Sequence, residues 1–177
     1  IGGESTRPFS DPVSLDEELS RVIPVIEGIR KKSDVCISID TTKSMVASKA
    51  LHVGASIIND VSAMEIDPLM ADVAIQFDCP LIIMHMKGTP KNMQDNPKYE
   101  SLISDIKDYL IGRIDFAVSK GVQRKKIIID PGIGFGKTVE NNFEIINNLN
   151  HFVELNLPVL LGASRKSFIG VSLNLPE

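Results

Sequence analysis

Short apolar runs alternate with longer amphipathic stretches from one end of the chain to the other. The runs fall at residues 35–39, 56–58, 81–84, 127–129 and 159–161. Each is continuous and often β-branched, the pattern of strands covered on both faces in a parallel sheet. Between them, spacing predicts helices over 15–32, 43–53, 68–77, 98–120 and 139–150. Ser14 and Glu17 make a capping box for the first, and Gly54 and Gly121 close the second and fourth. Pro24 lies inside the first span, which predicts a kink or a later helix start.

Repeated strand–helix units in one direction make either a doubly wound sheet or a (β/α)₈ barrel. The residues at the strand ends favour the barrel. Asp40, Asn59-Asp60, His85, Asp130 and Gly162-Ala163-Ser164 stand at five successive ends. A barrel gathers all of those ends at one mouth, whereas an open sheet uses only the ends at its switch point. A complete barrel takes about 250 residues, and this chain has 177, starting at Ile1-Gly2-Gly3 as if at the tail of a strand. The expectation is one domain over residues 1–177, covering about strands 2 to 7 of the barrel and incomplete at both ends.

Composition narrows the function classes. The net charge is −4 and no basic run tracks a nucleic-acid backbone, so no nucleic-acid partner is expected. The apolar runs are strand-sized and too short to span a membrane. Cys36 and Cys79 lack ligand spacing and read as buried free thiols of a reducing cytoplasm.

The candidate chemistry sits at the strand ends. Asp130-Pro131-Gly132-Ile133-Gly134-Phe135-Gly136-Lys137 places a carboxylate beside three alternate glycines. It is not a Walker loop, because Pro131 occupies the required glycine position, and it is not a dinucleotide fingerprint, because one residue separates Gly134 from Gly136. It is either a bare strand-to-helix turn or part of a polar small-molecule site. Arg7, in Glu4-Ser5-Thr6-Arg7-Pro8-Phe9, is either a solvated loop residue or a bidentate anion clamp. Asp40 is either an N-cap of the next helix or a catalytic carboxylate. Asn59 suits turn chemistry and also a ligand amide contact. His85 reads as a structural hydrogen-bonder or a titrating group, with no ligand pattern from His52 or His151. Gly162-Ala163-Ser164-Arg165-Lys166-Ser167 is a basic helix start or an anion site. Together Asp130 and Asn59 suit a heterocycle with mixed donors and acceptors, such as an aminopyrimidinone, with Phe135 against its ring and Arg7 and Lys166 toward an anion.

These motifs, in this order, resemble the dihydropteroate synthase family. The matching segments are Gly2-Gly3-Glu4-Ser5-Thr6-Arg7-Pro8, Ser38-Ile39-Asp40-Thr41, Asn59-Asp60-Val61, Met84-His85-Met86-Lys87-Gly88-Thr89-Pro90, the Asp130 loop and Ser164-Arg165-Lys166-Ser167. The resemblance spans essentially the whole chain. It implies a (β/α)₈ barrel, a homodimer in the cytoplasm, and a transferase of folate biosynthesis that sulfonamides target. That enzyme joins 6-hydroxymethyl-7,8-dihydropterin diphosphate to p-aminobenzoate and releases diphosphate with Mg2+ present. By the same resemblance Asp40, Asn59, Met84, Asp130, Phe135, Gly162 and Lys166 would form the pterin site. Thr6, Arg7, Pro8, Phe135, Lys166 and Ser167 would line the p-aminobenzoate site. Asp40, Lys166 and Arg7 would act in catalysis: Asp40 stabilising a cationic pterin methylene and Arg7 holding the diphosphate.

Two features depart from the family pattern. Phe9 stands where glycine commonly follows Arg-Pro, and neither the first-loop asparagine (a magnesium ligand) nor the C-terminal Arg-x-His motif occurs in these residues. No metal ligand is therefore expected within the chain, and the stretch alone would be an inactive pterin-binding fragment if both are required. A pterin-binding methyltransferase serving a corrinoid protein is the alternative enzyme. It has no need of Ser-Thr-Arg-Pro or Ser-Arg-Lys-Ser.

Overall fold

A computed structural model describes residues 1–7, 10–89, 93 and 97–175. Four strands, β1 (Ser38–Asp40), β2 (Ile57–Asp60), β3 (Leu81–Met84) and β4 (Ile127–Asp130), form one parallel sheet in the order β1-β2-β3-β4. Single parallel bridges extend the order outward, Gly2 to Asp40 on one side and Ile129 to Val159 on the other. Six strand positions therefore follow one another around the sheet with no reversal. A doubly wound sheet reverses at its switch point, so the architecture is an arc of a (β/α)₈ barrel.

The helices are α1 (Leu15–Arg30), α2 (Ser44–His52), α3 (Met70–Gln76), α4 (Leu102–Lys120), α5 (Val139–Asn147), α6 (Asn150–Val153) and α7 (Ser167–Leu173). Their inner faces meet the sheet through Ile26, Ile39, Ile58, Leu81, Ile83, Ile106, Leu110 and Ile127, all fully buried. This band fixes the strands, and so fixes the position of what their carboxyl ends carry. Pro24 is accommodated within an unbroken α1. Gly121 ends α4 in the left-handed conformation, φ 107°, as the sequence predicts. Only half of the expected capping box forms at α1, where the Glu17 N–H donates to Ser14 Oγ at 3.3 Å.

Several boundaries shift, among them the start of the 98–120 helix, which begins at Leu102. The 35–39 run pairs only from Ser38 onward. The Arg30 guanidinium takes the Ser33, Val35 and Gly54 carbonyls, so that backbone is bonded to a side chain and not to a strand. Val35 and Cys36 are consequently exposed; the expectation of a buried thiol holds for Cys79 alone. The 159–161 run pairs only at Val159. The predicted 139–150 helix stops at Asn147, and a separate turn forms α6.

Candidate active site

The glycine loop after β4 is built against the end of β3. Gly132 has φ +75°, and a Cβ there would lie 1.9 Å from the His85 carbonyl oxygen. At Gly136, φ +64°, a Cβ would lie 2.5 Å from the Lys87 carbonyl oxygen. Only glycine adopts these angles without strain and permits this approach. Loop N–H groups are already spoken for: Gly132 donates to Asp130 Oδ1 at 2.7 Å, Gly134 to Asn142 Oδ1 at 2.8 Å, and Phe135 to the Gly132 carbonyl at 3.1 Å. The glycines therefore shape the loop, and these amides do not form a phosphate cradle.

Asp130 is buried at the end of β4, and its Oδ2 faces Gly162. Burial pushes its carboxyl up to about 6, while the Gly132 N–H and the charges of Lys137 and Lys166 pull the other way. Lys166 lies over the Phe135 ring, with Nζ 4.1 Å from the centroid. Its ammonium is lowered by burial and raised by the charges of both Asp130 and Asp40. Asp130, Lys166, Phe135 and Gly162 thus meet at one place, with Met84 paired to Asp130 in the sheet and buried.

The charge of Asp40, at the end of β1, acts on the same cation. Asp40 does not cap α2, which starts at Ser44; there Asp67 arrives from another loop, its Oδ2 accepting from the Ser44 N–H at 2.7 Å. Asp40 is raised to about 6 by burial, with the charge of the amino group of Ile1 and then the Asn59 side-chain hydrogen bond opposing. Its Oδ1 is buried and has no hydrogen-bond partner among the described residues. A buried carboxylate oxygen left unpaired is costly unless something else supplies a donor. Alternation sends Asn59 toward Asp40 and sends its neighbour Asp60 away. There Asp60 takes the Ser62 N–H and Oγ–H and the Met64 N–H at 2.7–2.9 Å.

A cavity of about 260 Å3 opens beside Asp40, lined among others by Glu4, Thr6, Thr42, Val61 and Met86. Thr6 therefore lies with Asp40. Arg7 and Ser167 are exposed. Pro8 and Phe9 lie outside the described residues. The loop carrying Thr6 is rooted by charge: Lys43 Nζ pairs with Glu4 Oε2 and, at 2.6 Å, with Glu18 Oε2. Glu18 is fully buried. Among the described residues, no three His, Cys, Asp or Glu side chains gather as metal ligands.

Sequence reasoning leaves two groups without a defined role. Lys137 is 3% exposed, and its Nζ donates to the Phe135 carbonyl at 2.9 Å and to His85 Nδ1 at 3.0 Å. Burial brings it down to about 7. His85 is brought down to about 3, first by burial and then by the Lys137 charge, so its ring is neutral. A lysine directly after the third glycine is the available signal, but only the fold shows that it points inward.

Residues 1–176 match the family model described as pterin binding enzyme. A dihydropteroate synthase of Haemophilus influenzae is 44% identical over 99% of this chain, which spans 64% of that protein. A Yersinia pestis dihydropteroate synthase solved with a sulfonamide drug superposes with a TM-score of 0.94 at 41% identity, covering 98% of this chain and 63% of that one. A Xanthomonas albilineans dihydropteroate synthase solved with 4-aminobenzoic acid gives 0.93 at 38% identity, covering 100% and 62%. A family model matching residues 1–176, together with a relative 44% identical over 99% of the chain, shows that the chain belongs to the pterin binding enzyme family.

Proposed function

We propose that the protein carrying these residues is a dihydropteroate synthase. It would condense 6-hydroxymethyl-7,8-dihydropterin diphosphate with p-aminobenzoate to give 7,8-dihydropteroate and diphosphate. One arrangement carries the reading: Lys166 Nζ lies 4.1 Å over the Phe135 ring, and the charges of two strand-end carboxylates raised to about 6 by burial, Asp130 and Asp40, act on its ammonium. A site that merely needed turns would not hold two such acids around one ammonium.

The roles follow from the chemistry of the groups. Asp130, ionised above about pH 6, accepts the adjacent N–H pair of the pterin, and Asn59 and Lys166 contact its remaining edge. Phe135, Met84 and Gly162 close around the ring. As the methylene C–O bond breaks, positive charge grows on the pterin and is met by Asp40. Electrostatic stabilisation of developing charge is the main catalytic term available here. The arylamine nitrogen then bonds to the methylene carbon and loses a proton to solvent, with no covalent enzyme intermediate. Thr6, Arg7, Pro8, Phe135, Lys166 and Ser167 serve the p-aminobenzoate side, and Arg7 also meets the diphosphate.

Magnesium belongs to this proposal as a neutraliser of the departing diphosphate, and no step here runs through it. Sulfonamide inhibition, assembly as a homodimer and a cytoplasmic location are proposed on the same basis. No helix among the described residues is long and apolar enough to cross a membrane. The Ser-Thr-Arg-Pro and Ser-Arg-Lys-Ser segments favour this reaction over methyl transfer to a corrinoid protein. The test is diphosphate release by the full-length protein. It should require both dihydropterin diphosphate and p-aminobenzoate; release that ignores p-aminobenzoate overturns the assignment.

A further inference from the structure

We propose that Lys137 is a positioning residue for the pterin site: it locks the end of β3 to the glycine loop after β4 and serves Asp130 as its buried countercharge. This rests on the pterin role given to Asp130. The geometry comes first. Lys137 Nζ donates to the His85 carbonyl at 3.3 Å and to His85 Nδ1 at 3.0 Å on one side, and to the Phe135 carbonyl at 2.9 Å on the other. Those acceptors belong to two different loops. The same seam is closed by the contacts at Gly132 and Gly136, and by Tyr99 Oη donating to the Gly136 carbonyl at 2.7 Å. Met84, paired with Asp130, and Phe135, whose carbonyl takes Lys137, stand on opposite sides of that seam.

His85 is built to accept. Tyr109 from α4 meets its ring edge-on at 5.0 Å, and Tyr99 lies at 6.0 Å. With its ring neutral and Nδ1 facing the ammonium, the proton sits on Nε2. The charged groups bearing on this seam are few. Lys137 and Lys166 act on Asp130; Asp130 and Lys166 act on Lys137; Lys137 and Lys87 act on His85. A lysine with no carboxylate at salt-bridge distance among the described residues, buried against neutral acceptors, is an expensive way to staple two loops. Its ammonium supplies the three N–H donors that these acceptors take, and its charge also favours the ionised form of Asp130.

The test is the titration of the Asp130 carboxyl carbon by 13C NMR in the ligand-free full-length protein. Wild type should titrate near 6. Lys137→Gln, which keeps a hydrogen-bond donor and loses the charge, should titrate about one pH unit higher or more. The acidic limb of pterin affinity should move with it. Lys137→Met should move both equally and also lower the melting temperature. An Asp130 titration unchanged in folded Lys137→Gln overturns the inference. The wild-type protein supplies a check independent of any variant. Histidine 15N shifts must show His85 Nδ1 unprotonated between pH 5 and 6.5, where Lys137 is an ammonium, and an Nδ1–H form there refutes the staple. If the carboxyl moves but pterin affinity does not follow, the countercharge stands and the pterin reading of Asp130 fails.

Discussion

Replacing Asp40 by asparagine should make the protein more stable and less active. The carboxylate is raised from 3.8 to about 6, with burial as the largest cause. At about 1.4 kcal/mol per pH unit, holding it ionised at neutral pH opposes folding by about 3 kcal/mol. Its partial exposure makes that an upper figure, so about 1–3 kcal/mol is expected to be regained in Asp40→Asn. Asparagine keeps the acceptor for Asn59, so no hydrogen bond need be lost. The sign has a pH signature. A carboxyl with a raised folded-state pKa binds more protons folded than unfolded, so its destabilising effect is complete above about pH 6 and fades as pH falls toward 3.8. Urea unfolding at pH 7.5 and 4.5 reads this directly, with the variant more stable at the first and the gap narrowing at the second. The melting temperature should rise by about 2–4 °C per kcal/mol for a domain of this size. Turnover should meanwhile fall by about 100-fold or more, as for loss of one electrostatic stabiliser of the transition state. A variant that is less stable at pH 7.5, or whose stability difference is the same at both pH values, refutes the account of Asp40 as a strained functional acid.

Two further outcomes rest on the same geometry. Arg7→Ala should reduce turnover more than it reduces pterin affinity, because the exposed Arg7 is assigned to the diphosphate; equal losses in kinetics and in pterin calorimetry would remove that assignment. Lys43→Met should destabilise the protein by about 3–5 kcal/mol in urea unfolding, since it leaves the buried Glu18 carboxylate without its cation. Restoration by the double substitution Lys43→Met with Glu18→Gln is expected, and its absence would mean that packing, not charge, holds the loop root.

Much of this site was legible in the sequence because a parallel barrel turns chain order into geometry. Once Asp40, Asn59, His85 and Asp130 are placed at successive strand ends, their gathering at one mouth is a property of the fold. What was not legible depends on contacts between loops. The N–H cap of α2 comes from Asp67, 23 residues after Ser44, so local sequence could not remove the N-cap reading of Asp40. The inward turn of Lys137 depends on how close the β3 and β4 loops approach, which the glycines allow but do not announce. The late start of β1 reflects Arg30, whose guanidinium competes for the Val35 carbonyl at 2.6 Å. A propensity-based reading sees the apolar run and not its competitor. Arg7 and Ser167, assigned through the family resemblance, are exposed in the fold, next in sequence to Thr6 and Lys166.

The central claim is that a carboxylate at the end of β4 reads a pterin. Calorimetric titration of a dihydropterin into the full-length protein and into Asp130→Asn tests it most directly. The account predicts that the substitution weakens binding more than tenfold, about 1.4 kcal/mol or more, at pH 7.5, with a smaller difference below pH 6 where the wild-type carboxyl is protonated. Equal affinity for the two proteins at pH 7.5 would contradict it.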